Sequence, residues 1–195
     1  MINNFKTYKL CMAAAMLCAA SSIAFGQTAE FTISGGQDNL TNKDIGSGYS
    51  LGSGAQIAFR LTLNTGSWIG HEGGYAYNRS HLNLDGQDQG GMAIHQGFYD
   101  FLFYLTKEGN MVRPFACGGV QFANFVPPGA SVTQGGVQGG NKFGPNYGGG
   151  LKFFVNKKWI IRLDFRQYME GKPFDLGGSG QIKQNVASIG FGIGL

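Results

Sequence analysis

Residues 159–169 have the sequence WIIRLDFRQYM, in which apolar and charged side chains alternate. Ile161, Leu163 and Phe165 occupy odd positions, whereas the even positions between and beside them carry arginine and aspartate. Successive side chains of a β-strand point to opposite faces, and a helix would distribute the two sets around its surface. This stretch therefore predicts a strand with one apolar face and one charged face.

The same alternation recurs along the rest of the chain. It is found in eight segments: 28–36, 54–63, 68–79, 92–105, 111–125, 146–155, 159–169 and 186–195. Phe98 and Leu102 interrupt the pattern in the fourth segment. The chain has 34 glycines among 195 residues, and each interior glycine costs a helix about 1 kcal/mol relative to alanine. The sequence therefore predicts an all-β protein of eight strands.

The connections between these segments alternate in length. The short ones are 64–67, 106–110 and 156–158, and the long ones are roughly 37–52, 80–91, 126–145 and 170–184. Outer-membrane barrels have short periplasmic turns and longer external loops, and a soluble sandwich needs no such rhythm. We therefore expect an eight-stranded antiparallel up-and-down transmembrane β-barrel.

The N-terminal segment predicts a cleaved signal peptide over 1–26, which leaves the barrel domain at 27–195. Lys6 and Lys9 precede an apolar run of eleven residues that is too short to span a bilayer as a helix, and small residues at 24 and 26 suit a cleavage site. Removing these two lysines lowers the net charge from +4 to about +2, so the charge does not indicate a nucleic-acid partner. Cys117 is then the only cysteine, which excludes an internal disulfide.

The polar faces of the predicted strands carry charges of both signs. The residues expected to form a network in the lumen are Glu30, Arg60, Glu72, Asp100, Lys152, Arg162, Asp164 and Arg166. In lipid the apolar faces must point outward, and the interior of an eight-stranded barrel is just wide enough to be filled by side chains. We expect the three arginines to pair with the four acids, and the interior to be plugged.

A soluble, secreted barrel of the lipocalin kind is an alternative interpretation. In that arrangement Phe59, Leu163 and Phe191 would surround a ligand cavity, and Arg162 and Arg166 would lie in solvent. The orientation of these side chains distinguishes the two barrels.

Three stretches resemble the family of small outer-membrane β-barrel proteins that contains outer-membrane proteins A and X. They are GGGLK at 148–152 with KKWIIRLDFRQY at 157–168, RPFA at 113–116 followed by two glycines, and the alternating last strand at 187–195. The resemblance implies an outer-membrane location in a Gram-negative bacterium. It also implies that the barrel-assembly machinery recognises Ile189, Phe191, Ile193 and Leu195, although Leu195 stands where phenylalanine is usual.

We expect the protein to be non-enzymatic, with a role in envelope structure or in surface interaction through its loops. The expected partners are outer-membrane lipid, lipopolysaccharide and the assembly machinery. We expect a monomer. We also expect no cofactor, and His71, His81 and His95 lack the spacing of metal ligands.

An enzyme acting on lipid or lipopolysaccharide is the other alternative. Ser80 and His81 lie near Asp85 and Asp88 beside a predicted external loop, and a hydrolase would need these residue types together. Adjacent residues of a strand point to opposite faces, so the first two can meet only where the chain bends.

Overall fold

The computed structural model describes residues 28–41, 43–129 and 140–195. The predicted signal peptide, and the middle of the predicted loop at 126–145, lie outside these ranges. The described strands are β1 (Thr28–Thr41), β2 (Asp44–Gly46), β3 (Tyr49–Leu51), β4 (Gly54–Asn64), β5 (Ile69–Leu84), β6 (Gln87–Tyr104), β7 (Val112–Val126), β8 (Asn141–Phe154), β9 (Trp159–Gly171) and β10 (Gln181–Gly194). Within the described ranges, no helix has the length and apolar character needed to cross a bilayer.

The eight long strands form one closed antiparallel sheet. Each of them pairs with its neighbour along the chain, β1 with β4 and so on to β10, and β1 also pairs with β10. At the closure Phe31 lies opposite Ile193 on one side and Leu61 on the other. Closure pairs both edges of each of these eight strands, as a sheet in lipid requires. The predicted eight-stranded antiparallel barrel is confirmed.

The apolar side chains face outward. Phe59, Leu163 and Phe191 expose 41%, 40% and 55% of their surface, whereas Arg162 and Arg166 expose 0% and 1%. A soluble ligand-binding barrel needs the reverse orientation. That alternative is therefore wrong.

The two ends of the barrel differ. The short-turn end comprises the connections 65–68, 105–111 and 155–158, close to the three predicted short turns. The long-loop end is the opposite end, where six of the eight barrel strands extend beyond their predicted bounds by two residues or more.

The predicted long loop at 80–91 is wrong, because β5 and β6 continue to a tight turn at Asp85-Gly86. Asp85 has φ 48° and Gly86 has φ 82°, and positive φ at both central positions is the type I′ geometry of two-residue hairpins. The predicted loop at 37–52 likewise contains the end of β1 and the β2–β3 hairpin.

The inward side chains form successive layers from one end of the lumen to the other. The short-turn layer consists of Glu30, Asn64, Tyr104, Arg113 and Lys152. The charged layer consists of Arg60, Glu72, Asp100, Arg162, Asp164 and Arg166. The amide belt consists of Gln56, Gln96, Gln121, Glu170 and Gln184. The long-loop core consists of Leu40, Ile45, Leu51, Leu82, Met92, Ile94, Ala123, Phe125 and Ile182. Side chains of all four layers are buried, so the lumen is filled.

Candidate functional site

Glu72 lies at the centre of the charged layer. Arg162 donates from Nη1 to Oε2 of Glu72 at 2.5 Å and from Nη2 to Oε1 at 3.1 Å. Arg166 donates to the same Oε1 at 2.5 Å, and Arg60 Nε lies 3.7 Å from it. Three guanidinium groups from two strands thus converge on one carboxylate of a third.

Two aspartates complete the charged layer. Asp164 accepts a hydrogen bond from Nε of Arg162 at 2.7 Å and another from Nε of Arg166 at 2.8 Å. Asp100 accepts a hydrogen bond from Arg166 Nη1. The layer holds three cations and three anions, so it is formally neutral. Arginine suits this arrangement because its planar fork can bond several carboxylates at once.

Aromatic rings of the lumen lie against the arginines of the charged layer. The Phe115 ring lies 4.7 Å from Arg162 Cζ, and the Phe98 ring lies 5.2 Å from Arg166 Cζ. A cation within about 6 Å of a ring face is attracted by the ring quadrupole. Phe98, which interrupts the sequence alternation, therefore packs against the arginines of the lumen.

Glu30 belongs to the short-turn layer and not to the arginine cluster. Lys152 Nζ donates to Oε2 of Glu30, and Asn64 Nδ2 donates to Oε1 at 2.7 Å. Tyr104 Oη accepts from Lys152 at 2.9 Å and donates to Asn64 Oδ1 at 2.6 Å. The expected pairing of Glu30 with the arginines is not seen, because Glu30 lies near the start of β1, at the short-turn end.

The amide belt joins five strands across the lumen, and Gln56 Nε2 donates to Oε1 of Gln96 at 3.2 Å. Gln96 Nε2 donates to Oε1 of Gln121 at 3.1 Å and to Oε1 of Gln184 at 2.9 Å. These two amides donate in turn to the Glu170 carboxylate at 3.0 Å and 2.7 Å. Among the described residues Glu170 has no ion-pair partner, so its partners there are amides.

In the part of the chain that the structure describes, three buried charged residues are absent from the set predicted for the lumen: Asp38, Arg113 and Glu170. Asp38 and Glu170 fall in segments that were predicted to be loops. Both have the inward parity of their strands, since even positions face inward in β1 and in β9. The same alternation, continued by two residues in the first segment and by one in the other, identifies them.

The predicted assembly residues lie on the lipid-facing side of β10 and at its end. Ile189, Phe191 and Leu195 are exposed, and Ile193 is half-buried. Phe191 stacks on Trp159 of the adjacent strand, with ring centroids 5.0 Å apart. Trp159 and Trp68 lie at the short-turn end, where an interfacial aromatic belt is expected.

The proposed hydrolase residues do not form a site. Ser80 is buried and donates to Asn78 Oδ1 at 3.0 Å inside the barrel. His81 points outward and lies 3.1 Å from the exposed Asp88, whose pKa is lowered chiefly by a hydrogen bond from the backbone N–H of Gly90. The strand continues through both positions without the bend that a Ser–His dyad would need.

Comparison with known proteins agrees with this geometry. The family described as "Outer membrane protein beta-barrel domain" matches residues 10–193. No curated protein sequence matches the chain.

Several solved outer-membrane barrels have a similar fold. Neisserial surface protein A is 9% identical at a TM-score of 0.61, covering 86% of this chain and 96% of that one. OprG from Pseudomonas aeruginosa is 14% identical at a TM-score of 0.60, and the match covers 87% of this chain and 96% of OprG. Ail, the attachment invasion locus protein of Yersinia pestis, is 15% identical at a TM-score of 0.53, and the match covers 86% of this chain and 98% of Ail. At these identities the likeness shows the fold alone.

Proposed function

This chain belongs to the outer membrane protein beta-barrel domain family, and from that premise we propose that it is a non-enzymatic, non-conducting barrel. It resides in the outer membrane. In such barrels the short turns face the periplasm, so the short-turn end is the periplasmic one and the long-loop end is external. We propose that it supports the envelope structurally and makes surface contacts through the long-loop end.

The filled lumen carries this proposal. The charged layer crosses the barrel interior from β4, β5, β6 and β9 with its carboxylates and guanidinium groups bonded to one another. The long-loop core closes the lumen above it with nine buried apolar residues. An aqueous path would have to break several buried ion pairs, and removing one partner of such a pair costs about 3–5 kcal/mol.

Planar-bilayer recording tests the absence of a pore. Purified, refolded protein should give no large and stable conductance steps, whereas a water-filled porin inserted into the same bilayers serves as the positive control. Reproducible large steps from the wild-type protein, at protein levels that insert, would contradict the proposal.

We propose that the outward surface of the barrel near the long-loop end binds lipopolysaccharide. Arg79 and Lys183 are exposed on the outward faces of β5 and β10 near the long-loop end, where they can reach anionic lipid headgroups. Loss of the protein should sensitise cells to bile-salt detergents and to vancomycin. Wild-type protein should restore resistance, and the double variant Arg79→Gln, Lys183→Gln should restore it only in part. Full restoration of resistance by the double variant would contradict a role of Arg79 and Lys183 in binding lipopolysaccharide.

A role in surface contact is supported by the way the connections at the long-loop end pack against the long-loop core. The β2–β3 hairpin places Ile45 and Leu51 in the long-loop core, and Phe174 from the turn after β9 packs against the same core. Ail, a protein of this fold, has a name that describes attachment. Cells that display the protein should adhere to a target surface more strongly than cells that display a variant lacking residues 44–51. The two proteins are compared at equal amounts in the outer membrane.

We also propose that the protein is assembled as a monomer by the barrel-assembly machinery acting on β10. Leu195 ends the outward row that includes Phe191. Replacing Leu195→Phe should raise the heat-modifiable fraction after a pulse of synthesis, and Phe191→Ser should lower it. Equal fractions for all three proteins would contradict recognition of these residues.

A further inference from the structure

A cavity of about 500 Å³ opens at the short-turn end of the barrel. It lies between the first residues of β1, the last residues of β10 and the connections after β6 and β8. Its lining includes Thr28, Glu30, Met111, Arg113, Phe154 and Leu195. Ligand cavities in proteins commonly have volumes of about 300–1,000 Å³, so this one has room for a small molecule.

Arg113 is a buried cation in the wall of this cavity without an acidic partner. Its guanidinium carbon lies 3.6 Å from the centre of the Tyr104 ring, and its Nη2 donates to the backbone carbonyl of Ser67 at 3.0 Å. Its Nε has no hydrogen-bond partner, and among the described residues no carboxylate lies within ion-pair distance. The other three lumen arginines each have such a carboxylate.

The acids near Arg113 are engaged elsewhere. Glu30 accepts hydrogen bonds from Lys152 and Asn64. Glu108, which is exposed at the rim, accepts a hydrogen bond from the Thr28 hydroxyl at 2.6 Å. A buried charge without a partner is costly, so the site favours an external anion.

Besides Glu108 and the polar turn residues Asn110 and Asn156, the rest of the cavity wall has a second cation and apolar surface. Lys157 lies in the turn after β8 and adds a positive charge at the mouth. Met111, Phe154 and Leu195 contribute side chains that suit a short alkyl chain. The cavity therefore offers a charged end and an apolar side to the same ligand.

We propose that this cavity binds a small amphipathic anion, with its carboxylate or phosphate on Arg113 and its alkyl chain against Met111, Phe154 and Leu195. The guanidinium fork pairs with either headgroup through charge-assisted hydrogen bonds. Tyr104 and the Ser67 carbonyl hold the fork in place before the ligand arrives, which reduces the ordering cost of binding. The proposal does not depend on whether the lumen conducts ions.

The test is an amide NMR titration of the full mature chain in phosphatidylcholine nanodiscs. Octanoate and octyl phosphate are the anionic probes, and octanol is the uncharged probe of equal chain length. Octanoate and octyl phosphate should shift the amide signals of 108–113 and 154–157 saturably, and octanol should not. Arg113→Gln should weaken both anions at least tenfold, whereas Lys107→Gln, an exposed residue outside the lining, should leave affinity unchanged.

Two further arms keep the test decisive. If Arg113→Gln does not fold, a spin-labelled alkyl carboxylate added to the wild-type protein should broaden the signals of 108–113 before those of the long-loop end. Nanodiscs that contain phosphatidylglycerol should weaken octanoate binding if a lipid headgroup fills the site, and leave it unchanged if the ligand is a free anion. Equal shifts with octanol, or unchanged affinity in folded Arg113→Gln, would overturn the proposal.

Discussion

Three guanidinium groups converge on the carboxylate of Glu72, so we expect this buried acid to stabilise the barrel more than an exposed acid does. Replacing Glu72→Ala leaves Arg60, Arg162 and Arg166 with one anion fewer in a buried site. We expect the free energy of unfolding to fall by about 3–5 kcal/mol. Urea unfolding of the refolded barrel in phospholipid vesicles measures the change.

The matched control is Asp175→Asn. Asp175 pairs with Lys142 at 2.9 Å but is largely exposed, and such surface pairs contribute about 0–1 kcal/mol. If both variants lost equal stability, the charged layer would not be a stabilising network of buried pairs.

Leu163 tests the orientation of the barrel wall in lipid. It lies on the outward face of β9, four residues from Trp159 at the short-turn end of the strand. We expect Leu163→Arg to lower the free energy of unfolding by roughly 2–4 kcal/mol, because a charge meets the middle of the bilayer. The same change at Leu105, in a connection of the short-turn end, should cost about 0–1 kcal/mol. A larger cost at Leu105 than at Leu163 would contradict the inferred position of the membrane.

At the scale of the element, the β5–β6 hairpin depends on its two-residue turn. Gly86 has φ 82°, and a Cβ there meets no atom within 4 Å, so only backbone strain opposes a side chain. Gly86→Ala should destabilise the hairpin by about 1–2 kcal/mol, and Gly66→Ala, at an open position without positive φ, should have little effect. Amide hydrogen exchange at 80–91 measures the opening of the hairpin, and equal exchange in both variants would exclude this role of the turn.

The same hairpin shows that β5 and β6 continue beyond the part of their sequence that alternates. The polar residues of 80–91 favour a loop, yet Asp85-Gly86 directly after Leu82 and Leu84 is a typical hairpin turn pair. Outside the membrane both strand faces can be polar, so alternation fades while the ladder continues. The inward acids Asp38 and Glu170 lie beyond the predicted strands for that reason, because each follows the point at which outward residues such as Gln37 and Gln167 become polar.

At the scale of the whole molecule, the alternation of odd and even positions along each strand predicts the fold and the inward and outward faces of the barrel. It does not predict which side chains meet inside the lumen. Parity alone determines that Arg60, Glu72 and Arg162 point inward. Which of them meet depends on strand tilt and on register around the closed sheet, and a single sequence does not specify these. Glu30 is the example, since it pairs with Lys152 across the barrel closure rather than with an arginine.

The charged layer and the long-loop core should each block the lumen independently of the other. Ile45 and Leu51 are fully buried in the long-loop core, outside the charged layer. In the double variant Ile45→Ser, Leu51→Ser we expect the β2–β3 hairpin to detach, because buried aliphatic side chains each contribute about 2–5 kcal/mol. Trypsin should then cleave after the exposed Lys43 in intact cells, while the barrel stays heat-modifiable and planar bilayers still show no large conductance. Large conductance in this variant would mean that the long-loop core alone closes the lumen, and that the charged layer leaves a path for ions.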